Sequence, residues 1–219
     1  MALTTNRLTG IFNGVTQKRA EATRANLIKA ATEVIRRKGY FATTVDQVCE
    51  RAKVSKGAFF HHFKTKEELA EACLVQWDER AAAMEASSPF QKTANPRDRV
   101  LAYMDFYIGV FENPKILKSC LAGTTAQEVG DTIPALRDAA NQCFCNAARR
   151  LQSLLDDACK GVRQPPETSS LAALWIATVQ GAIVLYKASR DKTLITRTLQ
   201  HVRNYITSIL PNGSAETST

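Results

Sequence analysis

Chain-breaking residues are scarce here. Only ten glycines and seven prolines interrupt 219 residues, and few segments alternate apolar and polar residues at strand spacing. A turn-rich β fold is therefore excluded, and an all-α protein is expected. The six cysteines (Cys49, Cys73, Cys120, Cys143, Cys145, Cys159) lack paired metal-ligand spacing and read mostly as small buried hydrophobes. No apolar run looks long enough to span a bilayer, and the N-terminus lacks the apolar stretch of a signal peptide. No nucleophile–base pair, phosphate loop or metal constellation is visible, so neither an enzyme nor a cofactor is expected. The simplest reading is a soluble, reduced, cytoplasmic protein with no membrane partner.

Acid is scarce in one region only. Residues 1 to 66 hold thirteen Lys/Arg against four Asp/Glu, a surplus of +9, in a chain whose total is +8. The remaining 153 residues therefore carry −1. Such an asymmetry suits a head that meets phosphate. An anionic membrane would also attract it, but no long basic amphipathic helix with an exposed apolar face is present.

Within that basic region, Thr43 to Phe63 reads TTVDQVCERAKVSKGAFFHHF. Thr44 with Gln47 forms a capping box. Val45, Val48, Cys49 and Ala52 follow at helical spacing. Ser55 caps a second short helix whose first turn, Gly57 and Ala58, is small enough for close approach to a partner. Phe59 and Phe63 lie one turn apart and face the core. Lys56 and Phe60 share another face. Thr65 with Glu68 repeats the capping box and opens a third helix. Two helices with a basic exposed tip suit the major groove of DNA. An ordinary helical hairpin with a solvated tip is the alternative.

The expected organisation is a flexible arm over 1–16, a helix-turn-helix DNA-binding domain over 17–65, a ligand-sensing and dimerisation domain over 66–210, and a disordered tail over 211–219. The predicted helices are Lys18 to Arg37, ended by Gly39, then the two motif helices and a connector from Thr65 to Ala86. Next come Arg97 to Glu112, short pieces over Lys115 to Val129, Pro134 to Lys160, Thr168 to Ser189 and Lys192 to Ile209.

Residues Ala22 to Leu69, and above all AKVSKGAFFHHFKTKEEL, resemble the TetR family of one-component transcriptional regulators. The segment SCLAGTTAQEVGDTIPALRDA, the Leu174-Trp175 pair and the KASRD run resemble its electrophile-sensing repressor branch. The resemblance implies a nine-helix, omega-shaped homodimer with a three-helix head on a six-helix regulatory domain. It also implies repression at a palindromic operator on double-stranded DNA, relieved by a small-molecule or electrophile inducer. By motif position, Thr44 contacts phosphate, and Ser55, Lys56, Gly57 and Ala58 lie at the groove. Lys56 would donate to guanine and Ala58 would touch a thymine methyl. Phe60, His61 and His62 flank them, and Lys66 holds phosphate at the next helix start. Two positions depart from the family. Phe60 stands where tyrosine is usual, and Lys53 stands where glycine is common. The adjacent histidines diverge on a helix and lack a third ligand, so a metal is not expected.

Tyr103, Phe106, Tyr107, Phe111, Phe144, Trp175 and Tyr186 are candidates to line a ligand pocket, with plain core as the alternative. Cys120 stands near Lys115 and Lys118, whose charges would lower its thiol pKa. In the branch it resembles, a cysteine here is the sensor, with Lys187 as its possible partner; a buried inert cysteine is the alternative. Leu174, Val179, Ile183, Val202 and Ile206 give the last two helices more apolar surface than one core needs. They are the expected dimer interface, although an internal hairpin would also use them. A non-specific architectural DNA binder and a helical protein-interaction module remain open.

Overall fold

The computed structural model describes residues 5–113 and 119–211, with side chains from residue 17 onward. Expectations placed on Lys115, Lys118 and the tail beyond Pro211 lie outside the described residues. Among the described residues there are nine α-helices and no strand. They are α1 (Thr5–Lys38), α2 (Val45–Ala52), α3 (Lys56–His62), α4 (Lys66–Ala86), α5 (Pro96–Glu112), α6 (Leu121–Val129), α7 (Pro134–Ala158), α8 (Thr168–Ser189) and α9 (Thr193–Ile209). A single 3₁₀ turn, Pro89–Lys92, precedes α5.

The helix ends follow local chemistry. Thr44 completes its capping box with Gln47, Ser55 Oγ accepts from Ala58 N, and Thr65 accepts from Glu68 N. Asn95 caps α5, with Pro96 in the first turn. Gly39, at φ +91°, turns the chain out of α1. Lys53 ends α2 in the left-handed region at φ 56°, ψ 46°, where glycine would be free of strain. One boundary departs from expectation. Helix α1 begins at Thr5, where the sequence suggests an unpatterned arm, because extending a formed helix is far easier than nucleating one.

Two cores fill the molecule. The first joins the head to the body: Leu27, Ala31, Ile35, Phe59, Phe63, Leu69 and Cys73 pack with Leu121, Val129, Leu136 and Ala140 of α6 and α7. The second lies within the body, where Tyr103, Met104, Leu151, Leu155, Trp175, Ile195, Leu199 and Ile206 interlock. Helix α7 contributes its first half to one core and its second half to the other.

The apolar surface of α8 divides differently from the sequence expectation. Val179, Ile183, Val202 and Ile206, expected at a dimer interface, are buried in the chain's own core. Leu174 is exposed, and Val184, Leu185 and, on α9, Tyr205 join it. The cause is helical periodicity. Trp175, Val179, Ala182 and Ile183 form the inward stripe, while Leu174, Ala177, Gly181, Val184 and Leu185 form a second one opposite. With both stripes apolar, α8 is long and apolar enough to cross a membrane by length and composition, contrary to the sequence reading. Its inner face is taken by α7 and α9, which leaves only 33% of that apolar stretch buried.

Candidate nucleic-acid interface and ligand cavity

The head presents α3 to solvent as the motif predicts. Phe59 and Phe63 are buried, while Lys56, Gly57, Phe60 and His61 are exposed. Phe60 keeps 57% of its surface in contact with water, too much for a core ring. Ala58 and His62 are half-buried. Burial, His61 and Arg24 together hold the His62 imidazole below its usual pKa. His61 and His62 meet edge to face, and no cluster of three or more potential metal ligands occurs among the described residues.

Two lysines of the expected DNA-binding set have other partners. Lys56 Nζ lies 2.7 Å from Asp46 Oδ1 across the α2–α3 turn, with both side chains mostly in water. That pair raises the lysine pKa. Lys66 departs further from expectation. Its ammonium donates to Tyr40 O at 3.2 Å and Thr43 O at 3.1 Å, and sits 4.1 Å from the centre of the Tyr40 ring. The charge expected on phosphate closes the α1–α2 turn instead, adding to the bond that Thr43 N already gives Tyr40 O. The hydroxyls of Thr44 and Ser55 are likewise engaged as caps.

The body contains a cavity of about 270 Å³ between α4, α5, α7 and α8. Of the ring candidates, Tyr103, Tyr107, Phe111, Phe144 and Trp175 line it, together with Trp77. Phe106 instead packs against Phe90, and Tyr186 packs against the second core. Beside the rings lies a charge network that the sequence reading missed. Arg150 Nη1 donates to Asp78 Oδ1 at 2.8 Å, and Asn146 donates to Asp78 Oδ2 at 2.5 Å. Arg150 Nε lies 2.8 Å from Glu85 Oε2, an ion pair whose N–H is not aligned for a hydrogen bond. The Tyr107 hydroxyl donates to Glu85 Oε1. Burial raises the Glu85 pKa, against the opposing pull of Tyr107 and Arg150. The spacing of Asp78 and Glu85, two turns apart on one helix, was the available signal.

Cys120 lies where the cavity meets a smaller one of about 160 Å³, which Lys187 also lines. It caps α6, its sulfur accepting from Gly123 N at 3.5 Å. The Gln180 amide folds over this turn, and a Cβ at position 123 would fall 2.2 Å from its Oε1. The thiol chemistry is opposite to the sequence expectation. Burial raises the Cys120 pKa and outweighs the lowering by Gly123, Gln180, Ala122 and Arg36. Cys143, on the same wall, is pushed up to about 12 by burial.

Helix α6 ties this region to the head. Arg36 Nε of α1 donates to Ser119 O at 2.8 Å, and Ser119 Oγ donates back to Arg36 O at 2.7 Å. Glu128 Oε2 accepts from Phe41 N at 3.0 Å. The Arg36 guanidinium also lies 4.8 Å from the Trp77 ring, on the cavity wall.

Comparisons with known proteins agree with this architecture. A family model described as bacterial regulatory proteins, tetR family, matches residues 27–73, and one described as a tetracyclin repressor-like C-terminal domain matches residues 96–202. The HTH-type transcriptional repressor NemR of Escherichia coli K12 is 26% identical over 198 residues, covering 84% of this chain and 94% of that protein. The transcriptional regulator AcuR of Cereibacter sphaeroides is 26% identical over 186 residues, covering 83% of this chain and 84% of that one. Among solved structures, a TetR transcriptional regulator from Chloroflexus aurantiacus superimposes with a TM-score of 0.77 at 25% identity, covering 88% of this chain and 98% of its own. Reduced E. coli NemR does so with a TM-score of 0.69 at 24% identity, covering 88% and 100%.

Proposed function

The chain belongs to the TetR family of bacterial regulatory proteins and is a DNA-binding transcriptional regulator; from that premise we propose that it is a homodimeric repressor, released from a palindromic operator when a ligand enters the α4–α8 cavity. One observation carries the reading. The head that exposes Lys56, Gly57 and Phe60 is hydrogen-bonded through Arg36 to Ser119, at the start of α6 where the cavity is lined, and through Phe41 to Glu128 at the far end of that helix.

The mechanism is a population shift. Two heads in one dimer read two half-sites only at one spacing. A ligand that binds better to a differently spaced state lowers operator affinity by its differential binding energy. The exposed α8 stripe of Leu174, Ala177, Gly181, Val184 and Leu185 supports pairing through α8 and α9. Two elements run from cavity to head. Helix α4 packs on α1 at one end and lines the cavity at the other, and α6 adds the Ser119 and Glu128 ties. In the groove, Lys56 exchanges Asp46 for a guanine edge and Ala58 meets a thymine methyl. Phe60 and His61 flank them, and phosphate is held by backbone N–H groups at the starts of α2 and α4.

An electrophile is the favoured inducer class, because Cys120 opens onto the cavity and shares the adjoining space with Lys187. Its raised pKa means that the cavity must deliver the reagent to it. Native alkylation followed by mass spectrometry tests this. Cys120 reacting no faster than Cys143 or Cys159 defeats the sensor assignment.

Selection of bound sequences from a random duplex pool tests the whole. The expected result is a two-fold symmetric site bound roughly 10³-fold or more above random duplex, and released in footprints by electrophiles or small aromatics. Equal affinity for all duplexes would make the protein an architectural binder. Absence of DNA binding at low salt would make it a protein-interaction module.

A further inference from the structure

The charges beside the cavity are already matched to one another. Each of four carboxylate oxygens has a partner: Asp78 Oδ1 and Oδ2 take Arg150 and Asn146, and Glu85 Oε1 and Oε2 take Tyr107 and Arg150. The guanidinium is held between two carboxylates. Inside this larger cavity an entering anion meets no unpaired buried cation and an entering cation no unpaired carboxylate, since Lys187 lines only the smaller space beyond Cys120. Either would lose its hydration without finding a counter-charge. Arg80 stands at the mouth, exposed to water, where its charge is screened. The remaining walls are six aromatic rings, aliphatic side chains such as Met84, Val110 and Ile176, and neutral polar groups, namely Ser119, the Gln180 amide and the thiols of Cys120 and Cys143.

We propose that this cavity selects an uncharged aromatic molecule and turns away both carboxylates and ammonium cations of the same shape. At about 270 Å³, just below the roughly 300–1,000 Å³ of drug-sized sites, it suits one or two rings. The inference rests on the reading of this cavity as the regulatory site, and it names the class of molecule that site takes.

The chain supplies its own probe. It has two tryptophans, and both Trp77 and Trp175 line the cavity. Tryptophan fluorescence lifetime of the full-length protein, without DNA, is titrated with three nitroaromatic quenchers of one shape: 4-nitrobenzyl alcohol, 4-nitrobenzoate and 4-nitrobenzylammonium. The alcohol is expected to half-saturate at a concentration at least about tenfold below either ion. An ion binding within about tenfold of the alcohol overturns the proposal, as does the absence of quenching by all three. In Glu85→Gln, Arg150 loses a charged partner, so nitrobenzoate should gain about tenfold while the alcohol is unchanged. An unchanged nitrobenzoate titration in a folded variant, checked by circular dichroism, overturns the stated cause. If that variant does not fold, the wild-type comparison still decides. Intact selectivity with no effect of any ligand on operator binding would sink the regulatory reading and leave this one standing.

Discussion

Two ion-paired groups stand at opposite ends of this molecule, and their surroundings make them different devices. At the tip of the head, Lys56 and Asp46 pair with side chains 63% and 66% exposed. Beside the cavity, Arg150 pairs with Asp78 and Glu85, where exposure falls to 24%, 18% and 5%. In water such a pair contributes little and is easily exchanged, so Lys56 can leave Asp46 for a nucleic-acid edge. Out of water, breaking one partner strands a charge, so the Arg150 network is fixed and shapes what fits beside it.

The largest test of that contrast is Arg150→Met, which leaves two carboxylates without their cation. It should lower the unfolding free energy by about 3–5 kcal/mol in urea denaturation, and a loss under about 1 kcal/mol would show that the network is solvated. At the other end, Lys56→Ala should leave the urea midpoint unmoved. It should weaken operator binding on the order of tenfold and relax preference at one base pair; equal weakening of every duplex in a competition assay would make Lys56 an anchor rather than a reader. Lys53→Gly should stabilise the head by about 1 kcal/mol by relieving the left-handed backbone, and no gain in the urea midpoint would mean that the turn readjusts.

The pH response sharpens the difference between the two ends. The Glu85 pKa is raised above its ordinary 4.5 in the folded state, so the folded protein binds this proton more tightly than the unfolded chain. The burden of Glu85 is full above its folded pKa and is relieved as pH falls through that value towards 4.5. Wild type should therefore gain stability relative to Glu85→Gln on acidification in that window, and a difference that is flat with pH would contradict the burial. The smallest effect is expected from Asp46→Asn. It frees Lys56 without a measurable change in thermal midpoint and slightly strengthens DNA binding at low salt; a large loss of stability would place that pair with the buried kind.

The head was legible in the sequence because its signals are local. Thr44, Ser55 and Thr65 cap within three residues, and Phe59 and Phe63 share a face by period alone. The left-handed turn at Lys53 was foreseeable from the glycine common there. Ring identity and helix order also brought Tyr103, Tyr107, Phe144 and Trp175 to one cavity. What was hidden depends on distant partners. Lys66 turns to two carbonyls 23 and 26 residues away, and Arg150 meets Asp78 across 72 positions. The sequence could not say which of the two apolar stripes of α8 faces inward, because both are equally greasy. Cys120 misled for a related reason: neighbouring lysines in sequence suggested activation, whereas burial sets its chemistry.

Gly39 and Glu128 meet at the turn between α1 and α2. A Cβ on residue 39 would fall 1.8 Å from Glu128 Oε1, the carboxylate that also holds Phe41 N. A single methyl on the turn would therefore lever the carboxylate off its amide and loosen the hinge from the outside, with the cavity vacant. A genetic screen for permanently derepressed clones should recover changes at 39 and 128 as phenocopies of one another.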